Sequence, residues 1–501
     1  MDENRKPASQ ESIDSLLANM KGTIDCVYRE IYEDMGIVNA LAHGILDAII
    51  CNEDRIHLER VLKVHANVCY AILALCVQTR ASLKCSSSVE KQYNIRRCIV
   101  TAHEVYKYLY GFTGKKTQWL NIKRVLQQKN IEECSDIDNA AGKYEEKYAQ
   151  AADGTLRDVV KHFSDNPVEF FRNIDNVNER DTLDRVVALL AFLQPIHSLL
   201  GRELEDLLGS YYHIAMAQPM PRQVFSLVSE STNLKEDELQ GTIEKYEGIV
   251  KSLMRRIDIA EGIGTKFNLQ IEASPHWKGI TEDNVGLHIL YLYLDLMIVF
   301  RAFMHSETFV EYRQNLAYLI VSSHEGFKKL YGFDDNTRNN SYWNRVVKSL
   351  STKSKDCTIM SEISSIEANL KKLSVNKLLK DEDIVVAFTH IGSIKKQKQE
   401  SAFAVFDYFS QPVNSTEINE LSQLLYVMND IVKLYSKVLK LEDEQIREEN
   451  LARSNEYMER IRQMDKMAEE KITDPEVLAK WKTASERLWG VISKIDDMFS
   501  N

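Results

Sequence analysis

The chain contains one stretch twice, and this repeat constrains the fold more than any other feature of the sequence. Residues 80–112 and 301–333 are related by a constant offset of 221, and they share 14 of 33 residues without a gap. Unrelated stretches would share about two, at the ~6% identity that ordinary residue usage gives by chance. We therefore predict an internal duplication, with one copy of the stretch in each half of the chain.

Both copies end in Leu-Tyr-Gly-Phe, and this ending predicts the end of a helix. A glycine just after the last residue of a helix readily adopts the left-handed conformation of a C-cap. Gly111 and Gly332 occupy this position. We expect Phe112 and Phe333 to pack back against the helices that these glycines end.

A His-Glu pair lies eight residues before each of these glycines, at His103-Glu104 and His324-Glu325. Neither pair is followed by the second histidine that the H-E-x-x-H zinc motif requires. We therefore predict that these histidines support the structure, with a ligand or catalytic role as the alternative.

The rest of the chain favours helices. Only 19 glycines and 8 prolines interrupt 501 residues, and apolar residues recur at the three- and four-residue spacing of an amphipathic helix. No stretch shows the sustained alternation of a half-buried strand. We predict an all-α fold of two tandem duplicated helical bundles, with a C-terminal helical hairpin or coiled coil as a tail.

Proline clusters and changes in charge suggest the domain boundaries. Pro219 and Pro221 mark the densest cluster, and such residues typically lie in loops. We predict a first bundle at 1–215, a linker at 216–235, a second and diverged bundle at 236–441, and a tail at 442–501.

Individual helices follow from the same periodicity. The predicted spans in the first half are 12–50, 54–82, 89–110, 138–152 and 183–208, with a bend at Pro195. Those in the second half are 236–263, 285–304, 360–373, 383–409 and 417–441.

Composition limits the classes of partner and the compartment. The net charge of −11 argues against a basic surface that binds nucleic acid by charge alone. The most apolar run, 287–300, is short for a bilayer and contains Asp295, so it predicts a buried helix and no membrane. Eight cysteines without a C-x-x-C or a zinc-like Cys-His spacing predict reduced, buried thiols in a cytoplasmic protein, without metal or other cofactor.

The tail has its own pattern. Residues 442–470 are highly charged, whereas apolar residues from Val477 to Met498 follow a heptad spacing. Two interpretations remain open for the helix at 475–499. It folds back onto 442–470 as a hairpin, or it binds a second copy of the chain or another protein.

One stretch carries a catalytic signal, R-D-V-V-K-H at 157–162. It is followed by an acidic loop with Asp165 and by an amphipathic stretch that begins near Val168. This order of residues resembles the R-x4-H region of HEPN proteins. Many members of that family are small helical bundles that cleave RNA without a metal, in toxin–antitoxin and antiviral systems.

The resemblance implies an endoribonuclease site formed by Arg157, Asp158 and His162. Histidine has a pKa near neutrality and suits proton transfer to and from the RNA 2′-oxygen and the leaving oxygen. Arginine can stabilise the extra charge on the phosphorane, and the aspartate would orient it. The corresponding region of the second half, 383–388, lacks both Arg and His, so a two-site cleft would require a dimer of whole chains.

Two functional hypotheses follow from the sequence. The first is a HEPN-like protein that cuts or binds RNA in a toxin or phage-defence setting. The alternative is a non-catalytic scaffolding or protein-interaction protein, which the duplication, the acidic composition and the heptad tail favour.

Overall fold

A computed structural model shows that the protein is all-α, as predicted. The structure describes residues 10–46, 50–85, 87–111, 117–148, 172, 177–216, 236–267, 284–353, 357–380, 385, 388, 393–394, 399–400, 403, 419, 421–434 and 459–486.

Seven helices of the first half lie within these residues. They are α1 (Gln10–Ala42), α2 (Asn52–Lys84), α3 (Ser88–Leu109), α4 (Gln118–Leu126), α5 (Ile131–Tyr148), α6 (Glu179–Leu208) and α7 (Ser210–Met216).

The described part of the second half and tail is also mostly helical. Its helices are α8 (Glu236–Phe267), α9 (Asn284–Met304), α10 (Phe309–Leu330), α11 (Asp335–Asn339), α12 (Tyr342–Lys353), α13 (Cys357–Leu373), α14 (Lys377–Lys380), α15 (421–434), α16 (459–471) and α17 (475–486). Two strands of two residues each, β1 (Ser393–Ile394) and β2 (Gln399–Glu400), pair antiparallel.

Helix α2 lies at the centre of the first half. Every residue from Val64 to Arg80 is buried, and the helix packs against α1, α3 and α6. A helix that is apolar on nearly all sides is stable in a protein core or a membrane, and here neighbouring helices bury it. The polar residues on this helix must therefore find partners inside the protein, and they form the sites described below.

Helix α9 has the same role in the second half. All residues from Leu287 to Arg301 are buried, in a core shared with α8, α10 and α12. The prediction of a buried helix at 287–300 is confirmed. The helix is longer than the apolar run because Asn284 and Arg301–Met304 extend it at both ends.

Within the part of the chain that the structure describes, three helices are long and apolar enough to cross a membrane by length and composition, at Asp54–Lys84, Glu179–Leu208 and Leu287–Met304. Inside the protein, the apolar windows of the first and third are 94% and 89% buried, whereas that of the second is 39% buried. The first and third are therefore core helices of the two halves. The cytoplasmic location stays a prediction.

The glycine helix ends are present in both halves. Gly111 and Gly332 have φ of 70° and 82°, and the Gly332 N–H donates to the carbonyl of Phe327 at 3.0 Å. Phe333 packs back as predicted, with its ring centroid 5.4 Å from that of Phe327. Phe112 lies outside the described residues.

One helix prediction is wrong in part. We expected a continuous helix at 383–409, but β1 and β2 lie within this span and pair Ser393 with Glu400. The segment between them, 395–398, reads K-K-Q-K. Apolar periodicity alone did not distinguish this pairing from a continuous helix.

The described part of the tail forms a hairpin. The indole N–H of Trp481 on α17 donates to Asp465 on α16 at 2.8 Å, and the Ser485 hydroxyl donates to the other oxygen of Asp465, also at 2.8 Å. These contacts favour the hairpin interpretation over residues 459–486. Self-association through 475–499 stays a prediction.

The two halves contact each other directly through buried ion pairs. Arg80 of α2 binds Glu311 of α10, and Arg301 of α9 binds Glu90 of α3. The common origin of the halves, proposed from the repeat, stays a prediction.

Candidate metal centre

Four potential metal ligands converge where three helices of the first half meet. Glu30 lies on α1, His197 lies on α6, and His65 and Cys69 lie one turn apart on α2. Residues four apart on a helix are neighbours on the same face. The spacing of His65 and Cys69 therefore directs both side chains towards α1 and α6.

Three of the distances within this cluster approach those of a tetrahedral ion, whereas the direct hydrogen bond between His197 and Glu30 would have to open to admit one. One donor atom from each of the four residues lies within 4.8 Å of all the others. Glu30 Oε2 lies 3.9 Å from His65 Nε2 and 3.6 Å from Cys69 Sγ. The Cys69 Sγ to His65 Nε2 distance is 3.9 Å. A tetrahedron with zinc–ligand bonds of about 2.0–2.3 Å has edges of about 3.3–3.7 Å, so small side-chain adjustments would complete it.

His65 is held in the orientation that a ligand needs. Its Nδ1 lies 2.7 Å from Oδ2 of Asp34, a buried residue on α1. When Nδ1 carries the proton and donates it to this carboxylate, the lone pair of Nε2 points into the cluster. The same arrangement of carboxylate, histidine and metal recurs in zinc sites, where it fixes the tautomer of the ligand.

His197 completes the cluster from the other side. Its Nε2 is hydrogen-bonded to Glu30 Oε2, and its ring stacks on that of His65 with centroids 5.0 Å apart. Two imidazoles, one thiol and one carboxylate are the donor types that zinc takes in proteins.

Burial and mutual interactions shift the pKa values of the acidic groups and of His65 in the cluster in different directions. Burial opposes the charge of Glu30, but the hydrogen bond and charge of His197 and the charge of His65 lower its pKa to about 2. Burial and then the charges of Asp34 and Glu30 raise the pKa of Glu33 to about 7. Burial opposes the charged form of His65, but Asp34 and Glu30 outweigh it and raise its pKa.

Glu33 is the group left without a partner. Its residue is 5% exposed, and neither carboxylate oxygen has a hydrogen-bond partner within the described part of the chain. A buried carboxylate without a partner is costly. A cation bound by its neighbours would offset that cost.

The cluster does not suit nucleophilic catalysis by Cys69. This residue is fully buried, and burial together with the charges of Asp34 and Glu30 raises the pKa of its thiol well above the usual range. A reactive cysteine requires a lowered pKa and access. Coordination to a metal, which deprotonates a thiol outright, is the chemistry that this environment favours.

Access is from the side of Glu30 and His197. Their side chains are 13% and 23% exposed, whereas that of His65 is 2% exposed. Burial and then the charges of Asp34 and Glu30 raise the pKa of the Tyr212 hydroxyl on α7.

The positions equivalent to His65 and Cys69 in the second half carry no metal ligand. At an offset of 221 the second half has Gly286 in place of His65 and Leu290 in place of Cys69. The residues shared by the two halves therefore do not include the candidate ligands.

The predicted ribonuclease residues are not among those that the structure describes. Arg157, Asp158 and His162, with the following Asp165 and Val168, lie in 151–171. Their site therefore stays a prediction.

His324 of the repeated stretch is described, and it supports the structure. It is buried, its Nδ1 lies 2.6 Å from the carbonyl oxygen of Leu379, and its ring packs on Phe333. This environment agrees with the structural role predicted for the repeated histidines.

Sequence reasoning missed the metal centre because it compared the chain with contiguous zinc motifs. The available signal was His65-x-x-x-Cys69 on an otherwise apolar helical face, with His197 on a second apolar helix. Nothing in the sequence shows that residues 30, 65 and 197 meet.

Comparisons with protein-family models, with curated proteins and with solved structures found no match to this chain.

Proposed function

We propose that this chain is a metal-binding protein in which a zinc-class ion joins α1, α2 and α6. The observation that supports this most is the convergence of Glu30, His65, Cys69 and His197 within 4.8 Å. The bond between Asp34 and His65 and the unpartnered carboxylate of Glu33 support it independently.

The role of the ion follows from the number of ligands. Four protein donors fill a tetrahedral ion, and such closed sites are structural, whereas catalytic sites keep one position for water or substrate. Since the ligands come from three helices that are far apart in sequence, metal binding contributes to the stability of the folded first half.

Metal content tests the proposal directly. The full chain, reconstituted with zinc and dialysed, is expected to retain about one ion, as a single tetrahedral site requires. Cys69→Ser and His197→Gln are expected to lose it. Cys76→Ser is the matched control, because Cys76 is another buried cysteine two turns farther along α2.

Cobalt substitution adds a test of the ligands. The wild-type chain should show the visible bands of tetrahedral Co²⁺ and a thiolate charge-transfer band, and Cys69→Ser should lack the latter. A wild-type chain that stays metal-free after reconstitution contradicts the proposal. Equal metal content in Cys69→Ser and wild type does so as well.

RNA cleavage by Arg157, Asp158 and His162 remains a proposal that rests on the HEPN resemblance. His162→Ala, with its fold checked by circular dichroism, is expected to abolish RNA cleavage or toxicity. Activity equal to wild type contradicts it. The metal centre does not depend on this outcome, because none of its ligands lies in 157–162.

The scaffolding alternative predicts a different result. Deletion of 473–501 should then disrupt an assembly, whereas substitution of Arg157 or His162 should change nothing.

A further inference from the structure

The contacts between the two halves are reciprocal. Arg80 of the first half binds Glu311 of the second, and Arg301 binds Glu90. Arg301 and Glu311 are the residues 221 positions after Arg80 and Glu90. This exchange, in which residue i contacts j and the equivalent of j contacts the equivalent of i, is the pattern of an isologous dimer interface.

The local supports of these ion pairs are repeated too. The Asn94 side-chain N–H donates to Cys85 Sγ at 3.2 Å, and the equivalent Asn315 donates to Ser306 Oγ at 3.0 Å. The two faces therefore repeat the Arg–Glu pair and the asparagine beside it, although Arg80 and Lys84 also bind Glu307, whose equivalent in the first half is Ser86.

These reciprocal ion pairs do not by themselves decide whether a half binds the other half or the same half of a second chain. If the first halves of two chains met in this way, Arg80 of one chain would face Glu90 of the other, and both ion pairs would form. The same holds for two second halves, through Arg301 and Glu311. The reciprocal pairs alone thus permit exchange between chains.

A buried cluster in the interface departs further from the reciprocal pattern. Arg96 of α3 is hydrogen-bonded to Asp295 and to the hydroxyl of Tyr291, both on α9. Arg97 Nη2 lies 3.3 Å from the same Asp295 oxygen. Arg96 and Asp295 are buried, and the guanidinium of Arg96 also lies 4.9 Å from the ring centroid of Tyr93.

The equivalent positions carry no charge. Ala317 stands in place of Arg96, Tyr318 in place of Arg97, and Ala74 in place of Asp295. Ala317 and Ala74 are both buried, at 0% and 2% exposure. The charged cluster therefore forms once in the interface.

Pairing of like halves would leave these charges without partners. Two first halves would place Arg96 of each chain against Ala74 of the other, and two second halves would place Asp295 against Ala317. A buried charge that loses its partner is strongly destabilising. Natural interfaces use this kind of penalty to exclude wrong partners.

We propose that the Arg96–Arg97–Asp295 cluster makes each first half bind a second half and excludes pairing of like halves from two chains. The inference is independent of the metal centre, whose ligands lie in the first half alone.

The test replaces each residue of the cluster by the residue that stands at the equivalent position in the other half. The variant Arg96→Ala/Arg97→Tyr/Asp295→Ala is refolded from urea as a full chain over a range of concentrations, and its mass is measured by light scattering. We expect a concentration-dependent rise from the mass of one chain, 57.7 kDa, towards twice that value. Wild type should remain at one chain.

Cross-linking identifies the contacts. In a mixture of isotopically light and heavy variant chains, cross-links between α2 of one chain and α3 of another are expected. The matched control, Arg80→Met/Glu311→Leu, breaks a reciprocal pair and should remain at the mass of one chain. A triple variant that refolds only to single chains overturns the proposal.

If circular dichroism shows that this triple variant does not refold, a second variant takes its place. Arg96→Gln/Arg97→Gln/Asp295→Asn keeps hydrogen-bonding groups at all three positions but removes the charges that pairing of like halves would bury. It is expected to show a dimer fraction at high concentration. A single-chain mass at every concentration overturns the proposal here too.

Discussion

At the scale of single residues, two buried carboxylates hold histidines of α2 in place. Asp34 and Glu203 lie inside the helical bundle, and each binds a histidine of α2, His65 and His57 respectively. Inside a protein such pairs matter more than exposed ones, because an unpaired buried charge is costly. We expect the Asp34–His65 pair to affect metal affinity, and the Glu203–His57 pair to affect how stability depends on pH.

Asp34→Asn is expected to weaken metal binding without removing a ligand. The amide can no longer accept the Nδ1 proton of His65 as a carboxylate does, so the ring loses basicity and orientation. Loss of such a partner typically lowers metal affinity by about 10- to 100-fold. Competition with a chromophoric chelator measures the affinity. Asp138→Asn is the control, since Asp138 binds Lys123 at 2.7 Å, outside the cluster. Equal affinities in all three proteins would contradict the assigned role.

Glu203→Gln is expected to change how stability depends on pH. The hydrogen bond from His57 lowers the pKa of Glu203, burial opposes this, and Lys129 lowers it further. A carboxylate with a lowered folded pKa stabilises the protein fully above its unfolded pKa of about 4.3, and this contribution is lost as the pH falls through the folded pKa. At pH 7 the variant should lose about 1–3 kcal/mol, the value of a hydrogen bond to a charged group.

Urea unfolding at several pH values measures this difference. The gap between wild type and Glu203→Gln should narrow as the pH falls below about 4.3. Glu205→Gln, on the same helix but with a half-exposed side chain, should differ from wild type by about 0.5 kcal/mol or less. A gap that stays constant with pH would be inconsistent with the ion pair.

At the scale of elements, the helix ends determine where each half turns. The loop after α10 closes tightly, because Gly332 adopts a left-handed conformation and Asp334 caps the next helix through the N–H of Thr337. Thr308 and Glu311 form a capping box at the start of α10. Glu311 also binds Arg80 of the other half. Local caps and contacts between halves therefore share residues.

Gly332→Ala is expected to destabilise the protein by about 1–3 kcal/mol. A side chain at φ of 82° is strained, and an added Cβ would lie 2.8 Å from the carbonyl carbon of Thr337. Thermal unfolding measures the effect. The matched control is Gly142→Ala on α5, where nothing lies within 4 Å of the added Cβ and helix propensity predicts a gain of about 0.5–1 kcal/mol. Equal effects of the two substitutions would refute the strain argument.

At the scale of the whole molecule, the two halves form a continuous packed structure. Val89 and Tyr93 of α3 belong to the core of the second half, whereas Val310 and Ala317 of α10 belong to the core of the first. Because each core includes residues of the other half, the loss of one interface contact should destabilise both halves.

Glu90→Gln is expected to destabilise both halves together. The side chain of Glu90 is 2% exposed and pairs with Arg301, and removing one partner of a buried pair typically costs about 3–5 kcal/mol. Hydrogen exchange should show reduced protection in both α3 and α9. Glu179→Gln removes an exposed carboxylate 3.9 Å from Lys91 and should cost at most about 1 kcal/mol. Reduced protection in α3 alone would argue against coupling of the halves.

The sequence by itself determined the all-α class, the main helices and the glycine ends of α3 and α10. These features depend on local spacing and on the conformations that single residues allow. Tertiary structure alone decided the candidate metal centre, because Glu30, His65 and His197 are brought together only by the packing of α1, α2 and α6. It also decided the partners of Arg80 and Asp295, since an ion pair between residues about 200 apart in sequence depends on how the two halves dock.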